Sequence, residues 1–138
     1  MSQVGERVGY LIKQVDQAFR RASEERLREI GLSLAQYAVL RALADAPGAA
    51  AAELARRTFV TRQSLRDVLN GLRRAGLVEV AEQADSGRAL PVTLTGRGRE
   101  LMEQGDAMVL EVEERMIAGV AAEPLRGLLR ECARNLGR

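Results

Sequence analysis

Thr61-Arg62-Gln63-Ser64-Leu65-Arg66-Asp67-Val68-Leu69-Asn70-Gly71-Leu72-Arg73-Arg74-Ala75-Gly76-Leu77-Val78-Glu79-Val80 is the stretch on which the fold turns. Leu65, Val68, Leu69 and Leu72 recur at three- and four-residue steps, the spacing of one apolar helix face. Thr61 stands where an N-cap belongs, and Gly76 where a left-handed C-cap belongs. The spacing predicts a helix over 62–75. The period then shortens. Leu77 to Val80 alternates roughly as a strand, Ala84-Asp85-Ser86-Gly87 has turn chemistry, and Leu90, Val92 and Leu94 alternate again. Pro91 confines the second strand to an edge. Two such strands do not stand alone in water. They must lean on the helices beside them, which describes a wing.

Working outward, Pro47-Gly48 is a turn, and a short helix over about 50–57 carries Leu54 and Ala55. Its proportions suit the first helix of a helix-turn-helix. Ser33 is placed to cap a helix running through Ala44, with Leu34, Tyr37, Ala38, Leu40, Arg41 and Leu43 inside it. A long helix over about 6–30 places Val8, Leu11, Ile12, Val15, Phe19 and Ala22 on one face, and Gly31 stops it. Downstream, Thr95 caps a stretch from about 98 to 119 striped by Leu101, Met108, Val112, Met116 and Val120. Pro124 suits the first turn of a final helix, whose apolar face is Leu125, Leu128, Leu129, Cys132 and Leu136. The single thiol of Cys132 is expected to pack there as inert core. The fold class is mainly α with a small β-hairpin wing, in one domain over 1–138.

Composition narrows the chemistry. Of 138 residues none is histidine and one is cysteine, which removes His bases, Ser-His triads and clustered Cys/His metal ligands. Glu24-Glu25 and Glu113-Glu114 are neighbours in sequence and point apart on a helix, so they read as solvated faces. No phosphate-binding glycine loop is present. No enzyme activity, metal or cofactor is expected. The lone cysteine, the absence of a long apolar run and the N-terminal residues point to a cytoplasmic protein without a membrane span.

Charge is segregated. From Arg56 to Arg74 there are six arginines against one acid, Asp67, and from Glu100 to Glu123 seven acids against one base, Arg115. Twenty of the 21 basic residues are Arg, a bias that a GC-rich coding sequence also produces. Arg62, Gln63, Arg66, Asn70, Arg73 and Arg74 fall away from the apolar face of helix 62–75. Arg, Gln and Asn are the side chains that bond guanine or adenine edges bidentately in the major groove. Thr61 and Ser64 at the helix start suit phosphate contact. A basic helix face is also a common solvated surface, and the wing and flanking helices favour the nucleic-acid reading over that one.

The run Gly48 to Leu65, with Glu53-Leu54-Ala55 and Thr61-Arg62-Gln63-Ser64, then Leu72 to Val78, then Ser86-Gly87-Arg88-Ala89 and Leu94-Thr95-Gly96-Arg97-Gly98, resembles the MarR family of bacterial regulators over essentially the whole chain. The resemblance implies a winged helix-turn-helix. It implies a homodimer held by terminal helices, about 4–30 and 98–137, around a DNA-binding lobe of about 33–96. It also implies a recognition helix over 62–75, a pseudo-palindromic double-stranded operator, and a wing arginine for the minor groove, matched by Arg88. Where the family shows an acid steadying that arginine, Ser86 and Gly87 precede Arg88 here and Asp85 stands one place off. A dimeric repressor released by a small-molecule effector follows. Tyr37 and Arg41 are the polar candidates for its pocket, beside Val15, Leu34 and Met108; the other reading is that Tyr37 and Arg41 pin their helix to a neighbour. The alternative function is a winged-helix protein-interaction module that has lost DNA binding, with the acidic surface near 111–114 as its partner site.

Overall fold

Three of the helices begin on a hydroxyl, and these caps set the frame. Ser33 Oγ accepts from the Gln36 N–H at 3.0 Å while Gln36 Oε1 accepts from the Ser33 N–H at 2.9 Å, a reciprocal capping box. Thr61 Oγ1 accepts from the Ser64 N–H at 3.1 Å and Thr95 Oγ1 from the Gly98 N–H at 3.0 Å. The computed structural model describes residues 3–81 and 91–138. After a 3-10 turn at Val4–Glu6 the order is α1 (Val8–Arg28), α2 (Leu34–Asp45), α3 (Ala51–Thr58), α4 (Arg62–Arg74), β1 (Val78–Val80), β2 (Val92–Leu94), α5 (Gly96–Met116) and α6 (Ala122–Asn135). The strands pair antiparallel, Val78 with Leu94, Glu79 with Thr93 and Val80 with Val92. The turn at Ala84 to Gly87, Leu90 and Arg88 lie outside the described residues.

The core gathers α2, α3 and α4 around Leu40, Leu43, Leu54, Leu65 and Leu72, each fully buried. Burial of one such side chain contributes about 1.5–3 kcal/mol. Leu27 of α1 and Leu101 and Met102 of α5 belong to the same cluster, so the terminal helices build the lobe as well as extending from it. Glu24, half-buried, accepts from the Leu34 N–H at 2.8 Å and ties α1 to the start of α2, a structural use that its sequence position gave no sign of.

One junction is tighter than the rest. Gly76 has φ 76° and follows the C-cap of α4. Thr95 Oγ1 donates to the Gly76 carbonyl at 2.7 Å while capping α5, and the Thr95 N–H donates to the Leu77 carbonyl at 3.1 Å. Gly98 sits so close that a Cβ there would stand 2.0 Å from the Leu77 carbonyl oxygen. Only a hydrogen fits.

The apolar faces at the chain ends are not covered by any described residue. Val8, Leu11, Ile12 and Val15 on α1, and Leu128, Leu129 and Leu136 at the C-terminal end, are all exposed. No residue of α6 is buried. The expectation that Cys132 packs as core is therefore corrected: its thiol is exposed, because periodicity reveals an apolar face but not which molecule covers it. Among the described residues no helix is long and apolar enough to cross a membrane.

Candidate nucleic-acid interface and ligand cavity

Leu65 and Leu72 bury the inner side of α4, which turns Thr61, Arg62, Gln63, Ser64, Arg66, Asn70, Arg73 and Arg74 outward; all eight are exposed. The structure sorts them into two rows. Arg62, Arg66, Asn70 and Arg73 line a groove of about 510 Å³, together with Ala50, Ala51 and Ala52, Leu69, and the strand residues Val80 and Val92. Gln63, Asp67 and Arg74 do not line this groove; they continue along the helix on a row that meets it at Asn70. Thr61 and Ser64 occupy the helix start, where Thr61 Oγ1 also donates to Ser64 Oγ at 3.1 Å. Arg88 lies outside the described residues.

Ion pairing separates these arginines from the others nearby. On α3, Arg56 and Arg57 share Glu53 at 3.8 and 3.1 Å, and on α2 Arg41 holds Asp45 at 3.2 Å. Among the described residues Arg62, Arg66, Arg73 and Arg74 form no salt bridge. Among the described residues no acid pairs with their charge, which projects a positive potential from one helix face that phosphates would meet by releasing counterions. The first turn of α3 has no side-chain cap, and it opens on the same groove, adding the positive end of its dipole.

A second concavity, of about 380 Å³, lies between α2 and the end of α3, lined by Tyr37, Ala38, Arg41, Ala42, Asp45, Arg57, Thr58 and Phe59. Of the five expected lining residues, Tyr37 and Arg41 are there. Val15, Leu34 and Met108 are not. Val15 stands on the uncovered half of α1, Leu34 packs against the core at the start of α2, and Met108 is half-buried on α5. Arg57, Thr58 and Phe59 were not singled out in sequence. They enter the cavity because Phe59 adopts a left-handed conformation, φ 59° and ψ 33°, that ends α3. Nothing in the sequence marks an aromatic residue for that role, which glycine usually fills.

Tyr37 is also pinned. Its hydroxyl donates to Asp106 Oδ1 at 2.6 Å, and Arg41 approaches the same carboxylate at 3.6 Å. Burial, then the bond to Asp106, raises the Tyr37 pKa well above its ordinary value. The folded state thus binds this proton more tightly than the unfolded state. The resulting stability is complete below about pH 10, the ordinary tyrosine pKa, and is lost as pH rises from there toward the folded value. Tyr37→Phe is expected to lower stability by about 1–2 kcal/mol at neutral pH, and to narrow its gap to wild type in melts taken above pH 10. A constant gap across that range would show that the hydroxyl is not the group titrating.

A three-helix lobe whose second helix-turn-helix element presents exposed arginines beside a two-stranded wing is a winged-helix DNA-binding architecture. The MarR family model matches residues 30–89. The HTH-type transcriptional repressor Rv2887 of Mycobacterium tuberculosis is 39% identical over 119 residues, which cover 86% of each chain. The same repressor solved in complex with DNA superimposes with a TM-score of 0.73 at 35% identity, over 96% of this chain and 98% of that one. Solved with salicylic acid it gives a TM-score of 0.73 at 37% identity, over 93% and 95%. The chain belongs to the MarR family.

Proposed function

We propose that this protein is a dimeric transcriptional repressor of the bacterial cytoplasm, without catalytic activity, that binds a pseudo-palindromic DNA operator and leaves it when a small ligand binds. The observation that carries the reading is the exposed arginine and amide face of α4 beside the wing, whose arginines form no salt bridge among the described residues. Membership of a family of repressors supports it. The homodimer has a physical motive in the same chain: α1 and α6 present apolar faces that no described residue covers, and a second copy brings the same faces to meet them.

Within this reading α4 enters the major groove. Arg62 and Gln63, at its N-terminal end, contact base edges, while Arg66, Asn70, Arg73 and Arg74 flank them. Thr61 and Ser64 approach phosphate, and Arg88 on the wing reaches the flanking minor groove. The cavity at Tyr37 and Arg41 takes the effector. Tyr37 and Phe59 offer rings, and Arg41 and Arg57, which Asp45 and Glu53 hold in this structure, would exchange those carboxylates for that of a single-ring organic anion; the related repressor was solved with salicylic acid. A gel shift with the DNA upstream of the protein's own gene, against a random duplex of equal length, tests the reading. Arg62→Ala or Gln63→Ala is expected to reduce discrimination by about 1–3 kcal/mol. Arg73→Ala or Arg74→Ala should weaken both duplexes alike. Wild type that fails to prefer its own upstream region would favour the protein-interaction alternative.

A further inference from the structure

Asp67 is the only acid on α4. It is exposed, and among the described residues it forms no salt bridge. The positions three and four residues away, where a helix would supply an intrahelical partner, hold Gln63, Ser64, Asn70 and Gly71, none of them a cation. Nor does the helix dipole explain the acid. Asp67 is the sixth residue of α4, beyond the first turn in which a carboxylate gains from the dipole. Gln63, Asp67, Asn70 and Arg74 follow one another at steps of four, three and four, so they form a single row on the side of the helix away from Leu65 and Leu72.

On a surface that meets phosphates, a carboxylate repels every DNA sequence equally unless a base offers it a proton donor. We infer that Asp67 is a specificity-determining residue that accepts a hydrogen bond from the N4 amino group of cytosine. The inference rests on α4 entering the major groove, as proposed above. The chemistry selects the base. An ionised carboxylate is an acceptor only. Cytosine shows a lone amino donor in the major groove, whereas adenine sets its amino group beside the N7 acceptor, and guanine and thymine present acceptors. Asp67 thus combines one attraction with a general repulsion: it lowers affinity for DNA at large and returns it where cytosine stands opposite. Its flanking amides, Gln63 and Asn70, carry both a donor and an acceptor, the pairing that adenine edges require.

The substitution that tests this keeps the size and changes the hydrogen-bonding pattern. Asp67→Asn gives the position a donor beside its acceptor, and Asp67→Ala removes both. Wild type and both variants are incubated with a pool of duplexes randomised over a palindromic window, and the bound fraction is sequenced. Affinity for a fixed random duplex is measured in parallel. Wild type is expected to enrich cytosine at one position repeated symmetrically in both half-sites. Asp67→Ala should lose that preference by about 5- to 160-fold, the range equivalent to 1–3 kcal/mol, while binding the random duplex more tightly. Asp67→Asn should move the preference at the same position to adenine. Identical base preferences in all three proteins would overturn the inference, as would an increase in binding uniform over all sequences with no position changed. Wild type that enriches no sequence at all would instead overturn the DNA-binding reading, and this inference with it. The exposed position and the matched melting curves expected of the three proteins keep a folding defect from imitating either result.

Discussion

Leu11→Asp combined with Leu128→Asp is expected to leave the protein monomeric at micromolar concentration and to lower operator affinity by about 100-fold or more. Both side chains are apolar and exposed in the chain, 42% and 65%, on the two helices whose faces lack a partner. An aspartate on each would be driven into an apolar contact without a counter-charge, a cost of several kcal/mol that pairing of the subunits does not offset. The large effect on DNA follows from valence. Two lobes held together bind two half-sites as one event, and linkage of that kind is worth about 10²–10⁴ in avidity. Sedimentation gives the oligomeric state, and a gel shift on the operator gives the affinity. Circular dichroism should show an intact lobe, because the substituted residues are not part of the buried cluster. A double variant that remains dimeric would place the subunit contact elsewhere.

Gly98→Ala is expected to be the most damaging glycine-to-alanine change among the described residues, lowering stability by about 3 kcal/mol and the melting midpoint by about 10 °C at fixed protein concentration. The added Cβ would meet a backbone carbonyl at 2.0 Å, and a carbonyl cannot rotate aside as a side chain can. Gly105 supplies the contrast. A Cβ there would meet the Tyr37 ring at 2.9 Å and Leu27 Cδ2 at 3.1 Å, both of them side chains. The gain in helix propensity from glycine to alanine, about 1 kcal/mol, works against the loss at both positions, so Gly105→Ala is expected to be the milder change. Thermal melts of the two variants side by side would decide it, and equal midpoints would show that the β1–α5 junction gives way more easily than its geometry implies.

The sequence exposed the local grammar of this fold and concealed its long-range contacts. Ser33, Thr61 and Thr95 were legible as caps because a hydroxyl before an apolar period has few other uses, and all three accept the expected bond. Gly31 and Gly76 were legible as stops, and both take positive φ. The face of Leu65 and Leu72 fixed which side of α4 is outer. The pairing of Tyr37 with Asp106, 69 residues apart, and the closeness of Gly98 to Leu77 leave no periodic trace, since they depend on how α5 crosses the lobe. The cavity was half legible for the same reason. Tyr37 and Arg41 are one turn apart on α2, but Arg57, Thr58 and Phe59 arrive from another helix through a turn that no residue preference announces. Among the arginines the outer face was legible from periodicity and its division by the groove was not, because the groove is defined by Val80, Val92 and the start of α3.

The hydroxyl of Thr95, bonded at once to the end of α4 and the start of α5, leaves no slack between the two helices. In the proposed function the element that reads DNA is thereby coupled to the 21-residue α5, which would serve as its lever. That lever is about 31 Å long at 1.5 Å per residue, close to one turn of duplex DNA. In the proposed dimer the separation of the two reading heads would then be a length set by the protein, and the operator would have to match it. A ligand need not touch the reading head to dislodge it. Within the proposed function, a tilt of α5, on which Tyr37 already rests through Asp106, would change the length of that ruler.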